Sequence, residues 1–326
     1  MQTSPPHIVE ECRGILFVYS DGSIIRSANP SYTVPVRDNS SVEWKDVLFD
    51  PTNNLFLRIY KPRYITSKLP IFFYFHGGGF CIGSRTWPNC HNYCLQLASE
   101  LPAIVIGPDY RLAPEHRLPA AIEDSITCLF WLQSQAAGSN SDPWLSEFAD
   151  FTRVVISGDS AGGNIAHHLA VRFGSASSRV ELEPVRIKGY VLLMPFFCGV
   201  ARTRSEVECP KETFLNLELN DRYWRLSLPN GANFDHPLAN PFGPDSPRLE
   251  PVEFESMLVV VGECDLLRDR SVDYAKRLKE FGKPVELAEF KSQQHGFITI
   301  NPWSESSAEV MRLLRQFTEE VGARSG

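Results

Sequence analysis

Residues 154–164 read Val154-Val155-Ile156-Ser157-Gly158-Asp159-Ser160-Ala161-Gly162-Gly163-Asn164. An apolar run ends in a glycine-rich pentapeptide, and a helix-compatible stretch, Ala161–Phe173, follows. This is a strand, a very tight turn and a helix. The glycines flanking Ser160 leave room for a turn sharp enough to push its hydroxyl outward. The amide of Ala161, at the helix start, then faces the same space. A Gly-x-Ser-x-Gly pattern alone is weak, since a helix-capping serine produces it too. The flanking strand and helix give it weight.

Working outward, the same grammar recurs. Short apolar runs occur at Ile71–Phe75, Ala103–Gly107, Val154–Ser157, Tyr190–Met194 and Leu258–Val261, with Val285–Phe290 as a last candidate. Runs without polar alternation are expected where strands are covered on both faces. Helical stretches lie between them: Trp87–Ser99, Ala120–Ala136, Arg270–Phe281 and Ser304–Val321. Alternating β and α at this spacing predicts an α/β fold, a mostly parallel central sheet flanked by helices. Upstream, Val42–Leu48 and Leu55–Tyr60 read as strands joined at Asn53-Asn54, and Ser20-Asp21-Gly22 reads as a hairpin turn between Gly14–Val18 and Ser23–Arg26. Phe197–Pro251 breaks the rhythm: it has no strand-like run and one helix-like piece, Leu217–Leu228. Long insertions of this kind often form lids. The expectation is one domain over residues 1–326, with a cap from about 1–40 and 197–251 over the C-terminal sheet edge.

Composition narrows the function. The 326 residues are 43% hydrophobic and 22% charged, an ordinary globular mixture, and the net charge of −7 offers nucleic acid or an anionic membrane no bulk attraction. No basic-then-apolar leader and no run of 18 apolar residues is visible, so a cytoplasmic or nuclear location is expected. The eight cysteines lack framework or metal spacing and read as reduced thiols; Cys90 and Cys94 suit one helix face. The sequon at Asn39-Ser40-Ser41 means little without export. No metal or cofactor is expected. The oligomeric state stays open: a homodimer is allowed, but no feature demands it.

A serine hydroxyl needs a base, an acid behind the base, and donors for the oxyanion. His76-Gly77-Gly78-Gly79-Phe80 follows the run Ile71–Phe75. Three glycines expose backbone amides, and those of Gly77 and Gly78 can converge with that of Ala161 on a developing oxyanion. A phosphate loop is disfavoured because its Lys is missing. Of eight histidines, His295 stands just past the last strand, in Gln293-Gln294-His295-Gly296-Phe297, where a loop leaving the sheet edge reaches the Ser160 turn. His7 lies in a tail, His91 in a helix, His116 in a loop, His236 in the insertion, and His167 and His168 point away from the tip; His76 reads as a loop brace. Asp265 ends the run Leu258–Val261 and is the favoured acid, with Asp269 and Glu263 as competitors. The order Ser160, Asp265, His295 is that of α/β-hydrolase triads.

Taken together, His76–Gly79, Gly158–Asn164 and Asp109-Tyr110-Arg111-Leu112-Ala113-Pro114-Glu115-His116 resemble the hormone-sensitive-lipase-type branch of the α/β-hydrolases, and plant carboxylesterases in particular. The resemblance covers nearly the whole chain. It implies the α/β-hydrolase fold, a Ser160–His295–Asp265 triad, an oxyanion hole of Gly77, Gly78 and Ala161, and hydrolysis of a small-molecule ester. Residues 80–88 and 223–232 further resemble the carboxylesterase-15 type, which implies strigolactone-type butenolide substrates. Phe80, Phe214, Trp224 and Phe297 are candidate pocket residues. Two rival functions share the scaffold. The gibberellin receptor resembles this family but lacks the triad histidine, and lyase or cyclase relatives often alter the nucleophile or the oxyanion glycines. This chain keeps them all.

Overall fold

Alternate residues of the central strands face opposite ways, and each face has its own layer of helices. A computed structural model describes residues 5–27, 34–38, 40–138 and 141–323. Asn39 of the sequon and parts of the 1–40 segment lie outside the described residues. In chain order the elements are β1 (Ile8–Cys12), β2 (Leu16–Tyr19), β3 (Ile24–Arg26), β4 (Val42–Asp50), β5 (Leu55–Pro62), β6 (Leu69–Phe75), α1 (Pro88–Glu100), β7 (Ile104–Pro108), α2 (Ala120–Ala137), α3 (Pro143–Phe148), β8 (Ala149–Asp159), α4 (Ala161–Arg172), α5 (Ala176–Val180) and β9 (Ile187–Leu193). They continue with α6 (Arg204–Glu208), α7 (Leu217–Ser227), β10 (Ser256–Gly262), α8 (Arg268–Glu280), β11 (Val285–Phe290), α9 (Phe297–Ile300) and α10 (Glu305–Ala323).

The eight-stranded sheet has the order β11-β10-β9-β8-β6-β7-β5-β4. Pairing is parallel from β7 through β6, β8, β9 and β10 to β11, and antiparallel where β5 meets β7 and β4. Ile71, Phe73, Phe75, Val154 and Ile156 pack with Leu129 of α2, Ile165 of α4 and Leu278 of α8. Their neighbours Phe72, Tyr74 and Val155 pack with Leu97 of α1 and Leu314 of α10. Both faces are thus buried, which is why these strands carry no polar alternation. Each buried large side chain contributes about 1.5–3 kcal/mol.

The predicted hairpin is present as β2 and β3, with β1 added antiparallel to β2. This three-stranded sheet meets α7 through arginines. Arg222 pairs with Glu10 at 3.0 Å and donates to the Glu11 carbonyl, and Arg225 pairs with Glu10 at 3.1 Å. Within 197–251 no strand forms, as expected, and α6 accompanies α7.

Candidate active site

The turn after β8 shows why its sequence is glycine-rich. Ser160 sits at φ 53°, ψ −113°, a conformation an L-residue adopts only under constraint. Its amide donates to the Leu193 carbonyl at 2.8 Å, and its carbonyl accepts from Phe196 at 2.8 Å. A Cβ on Gly162 would stand 1.9 Å from the Phe75 carbonyl oxygen, and one on Gly158 would stand 2.3 Å from Gly162. No side chain fits at either place. Asn164 locks the next loop by donating to the Phe196 and Leu238 carbonyls at 2.9 and 3.0 Å.

The loops after β10 and β11 deliver the partners. His295 Nε2 lies 3.0 Å from Ser160 Oγ, and His295 Nδ1 lies 2.9 Å from Asp265 Oδ2. The three are 7%, 5% and 2% exposed for Ser160, His295 and Asp265, so the relay is largely shielded from water. The other oxygen of Asp265 accepts the Leu267 amide at 2.8 Å, which fixes the carboxylate's orientation. Its two competitors are engaged elsewhere. Asp269 accepts from the Ser205 amide at 2.8 Å and Arg268 at 2.9 Å, and Glu263 accepts from the Ser292 amide at 2.9 Å. The loops brace each other: the Cys264 amide donates to Gln293 O at 2.9 Å, and Gly296 takes a left-handed φ of 74° beside His295. Two other histidines are engaged elsewhere. His91 meets Tyr60 at 3.0 Å and His167 meets Tyr274 at 2.9 Å, while burial pushes His91 down to about 4 and His167 well below the usual histidine range.

A cavity of about 620 Å³, open to solvent, is lined by Ser160, His295 and all three loop glycines. Gly77 backs directly onto the buried Asp159 carboxylate, where a Cβ would stand 2.5 Å from Oδ2. The N–H groups of Gly78 and Gly79 have no acceptor among the described residues, and both glycines have positive φ, 114° and 58°. Gly78, Gly79 and Ala161, at the start of α4, are therefore the amides left open to a substrate oxygen. Gly79 was not among the sequence candidates. The clue lay in the Asp of Gly158-Asp159-Ser160, a buried acid that needs a donor.

Of the four candidate pocket aromatics, Phe214 lines the cavity and the other three do not. Trp224 stacks on Phe196 with ring centroids 4.3 Å apart, Phe80 packs 5.9 Å from Trp224, and Phe297 packs 5.5 Å from Phe290. Phe80 and Trp224 belong to one side of the core and Phe297 to the other. The walls instead use Arg13, Ile82, Trp87, Leu215 and Tyr223, none of which was singled out as a pocket residue from the sequence. Among the described residues no cluster of His, Cys, Asp and Glu suits a metal ion, and no helix is long and apolar enough to cross a membrane.

The model of the alpha/beta hydrolase fold family matches residues 72–299. The chain belongs to the α/β-hydrolase fold family. It is 38% identical over 277 residues to "Probable carboxylesterase 6" of Arabidopsis thaliana, covering 82% of this chain and 78% of that protein. It is 34% identical to "Tuliposide A-converting enzyme 2, chloroplastic" of Tulipa gesneriana, covering 89% and 73%. Among solved structures, the thermostable carboxylesterase EstE1 from a metagenomic library superposes with a TM-score of 0.73 at 29% identity, over 86% of this chain and 89% of that one. This kinship with plant carboxylesterases and with a solved esterase makes the α/β-hydrolase a carboxylic ester hydrolase.

Proposed function

We propose that this carboxylic ester hydrolase cleaves small apolar esters by two-step acyl transfer on Ser160. The observation that carries the reading is the continuous path Asp265–His295–Ser160, with both links at hydrogen-bond distance. His295 takes the Ser160 proton as Oγ attacks the ester carbonyl, and Asp265 holds the imidazole's tautomer and stabilises its charge. The carbonyl oxygen becomes an oxyanion beside the free amides of the glycine loop and Ala161, each worth about 3–4 kcal/mol in the transition state. His295 returns its proton to the leaving oxygen, and water then attacks the acyl-serine with His295 again as base.

The finer reading, a strigolactone-type butenolide substrate, rests on the resemblance of residues 80–88 and 223–232. Ile82, Gly83, Trp87 and Tyr223, from those stretches, line the cavity and support it. The histidine that a receptor relative lacks is within reach of the serine here, which favours turnover over binding alone.

Release of p-nitrophenol from a short acyl ester tests the chemistry. Ser160→Ala is expected to lower kcat by at least about 10⁴-fold with an unchanged melting temperature. Persistent turnover in that variant, or no acyl adduct on Ser160 by intact mass, would overturn the mechanism. A panel containing a strigolactone analogue, tuliposide A and aliphatic esters tests the substrate. The analogue is expected to show the highest kcat/KM, and a ranking below the simple esters would remove the butenolide reading.

A further inference from the structure

The relay leaves one buried acid beside the nucleophile without a role. Asp159 is 7% exposed, directly precedes Ser160, and makes no hydrogen bond to Ser160 or His295. Among the described residues no Lys or Arg pairs with it. Burying an unpaired carboxylate is costly, so its retention next to a reactive centre needs a reason.

Its neighbours supply one. The Tyr74 hydroxyl donates to Asp159 Oδ1 at 2.6 Å across the β6–β8 pair, and the other carboxylate oxygen, Oδ2, packs against Gly77. Contact with Gly77 is so close that a Cβ there would stand 2.5 Å from Asp159 Oδ2. Burial pushes the Tyr74 hydroxyl well above its usual range, so it stays protonated and donates. Burial also raises the Asp159 carboxyl, while the Tyr74 bond, the nearby His76 and His295 rings and the Gly77 amide act in the opposite direction. The far side of the loop is braced independently. Tyr110 stacks on His76 with centroids 4.3 Å apart and donates to the His76 carbonyl at 2.7 Å, and His76 Nδ1 donates to the Gly77 carbonyl at 2.7 Å.

We infer that Asp159, held by Tyr74, is a positioning residue that clamps Gly77 and so aims the amides of Gly78 and Gly79 at the forming oxyanion. Because Asp159 is joined to Ser160 by one peptide bond, the clamp sets the glycine loop and the Ala161 amide at a fixed spacing. An amide displaced by a few tenths of an ångström loses most of its preference for the transition state, because preorganisation is what gives such donors their worth. The inference rests on the acyl-transfer reading above.

The test compares Asp159→Asn and Tyr74→Phe in the full-length enzyme. An asparagine cannot match the carboxylate at both contacts, since its amide nitrogen faces Tyr74 or Gly77. With p-nitrophenyl butyrate, Asp159→Asn is expected to lower kcat about 10²-fold with KM within about twofold. Tyr74→Phe removes one donor and leaves Gly77 in place, so its kcat should fall by about 3- to 10-fold. An aliphatic trifluoromethyl ketone, which adds to the serine as a tetrahedral adduct, should lose affinity in parallel with kcat/KM. The matching methyl ketone should bind both variants as it binds the parent. Wild-type kcat in both variants overturns the inference, and so does equal weakening of the two ketones, which is the signature of a merely structural role. If Asp159→Asn does not fold, Tyr74→Phe and the ketone pair decide alone. Loss of the clamp effect with Ser160→Ala still inactive removes only this inference, whereas activity in Ser160→Ala removes the mechanism beneath it.

Discussion

Two walls face each other across the cavity and are held by opposite means. On the sheet side, the junctions after β6 and β8 are fixed by backbone contact, at Gly158, Gly162 and Gly163, where a Cβ would come within 2.3, 1.9 and 2.9 Å of other backbone. The opposite wall, 197–251 with the N-terminal strands, is held by arginines. Arg222 bridges Glu10, Glu218 and the Glu11 carbonyl, Arg26 reaches Glu115 and the Cys81 and Ala113 carbonyls, and Arg270 pairs with the buried Glu206. Steric closure admits one residue type per position. Arginine bridges spread over several partners, and where they are partly exposed the loss of one costs little. The proposed chemistry therefore lies on the wall that cannot vary, and substrate choice faces the wall that can.

The largest expected effect separates two acids that sit four residues apart, one bonded to the relay and the other to the insertion. Asp265 bonds His295, while Asp269 bonds the Ser205 amide of the insertion. Asp265→Asn is expected to lower kcat by about 10⁴-fold, because the imidazole loses its orienting acceptor. Asp269→Asn should leave kcat within about threefold and lower stability by about 1 kcal/mol. Equal losses of kcat would erase the distinction. Next comes Gly162→Ala on the rigid wall. Its Cβ meets the Phe75 carbonyl, so the start of α4 must move off the end of β6, at a cost of about 3 kcal/mol or more in a denaturant titration. A neutral outcome would mean the turn is less closed than its geometry states.

How much of each wall was legible follows from what holds it. Glycines at a strand end and unbroken apolar runs are written in residue type, so the strand–turn–helix at Ser160 and the β11 span Val285–Phe290 could be read directly. The start of β8 could not. Asp150, Thr152 and Arg153 put polar side chains into this stretch, and it joins the sheet through a register shift between Pro70 and Ile71. Helices of four to six residues, α3, α5, α6 and α9, are too short to show a period. Which of three consecutive glycines packs on a carboxylate depends on the end of another strand, β8, a tertiary fact. Pocket aromatics were the least legible of all: Phe214 and Trp224 are equally apolar, and only packing puts one in the cavity and the other in the core.

The adaptable wall yields a smaller effect. Arg222→Ala removes the bridge between α7 and β1, next to the turn that carries Arg13 into the cavity. A loss of about 1 kcal/mol is expected, since partly exposed ion pairs are weak. KM should rise about two- to fivefold with kcat unchanged, because the cavity wall shifts while the relay does not. A fall in kcat alone would show that the two walls are coupled through the chemistry.

The smallest expected effect lies at the seam between the walls. His168 of α4 reaches the Leu238 carbonyl of the insertion at 3.4 Å. Burial pushes this histidine down to about 4, the Leu238 contact opposes the shift, and His236 adds to it. Between pH 6.5 and about 4 the unfolded chain therefore binds a proton at this position that the folded chain resists. Stability must fall as pH drops through that window and be fully retained above it. His168→Gln keeps a donor for Leu238 and removes the titration, so its loss of stability from pH 7 to pH 4.5 should be smaller than the parent's by about 1 kcal/mol. Identical slopes would place the proton uptake elsewhere, with His91 and His167, neutral and buried under other elements, as the groups to replace next. A reduced slope would make the join between scaffold and insertion the acid-sensitive part of the fold, ahead of the glycine turn that carries Ser160.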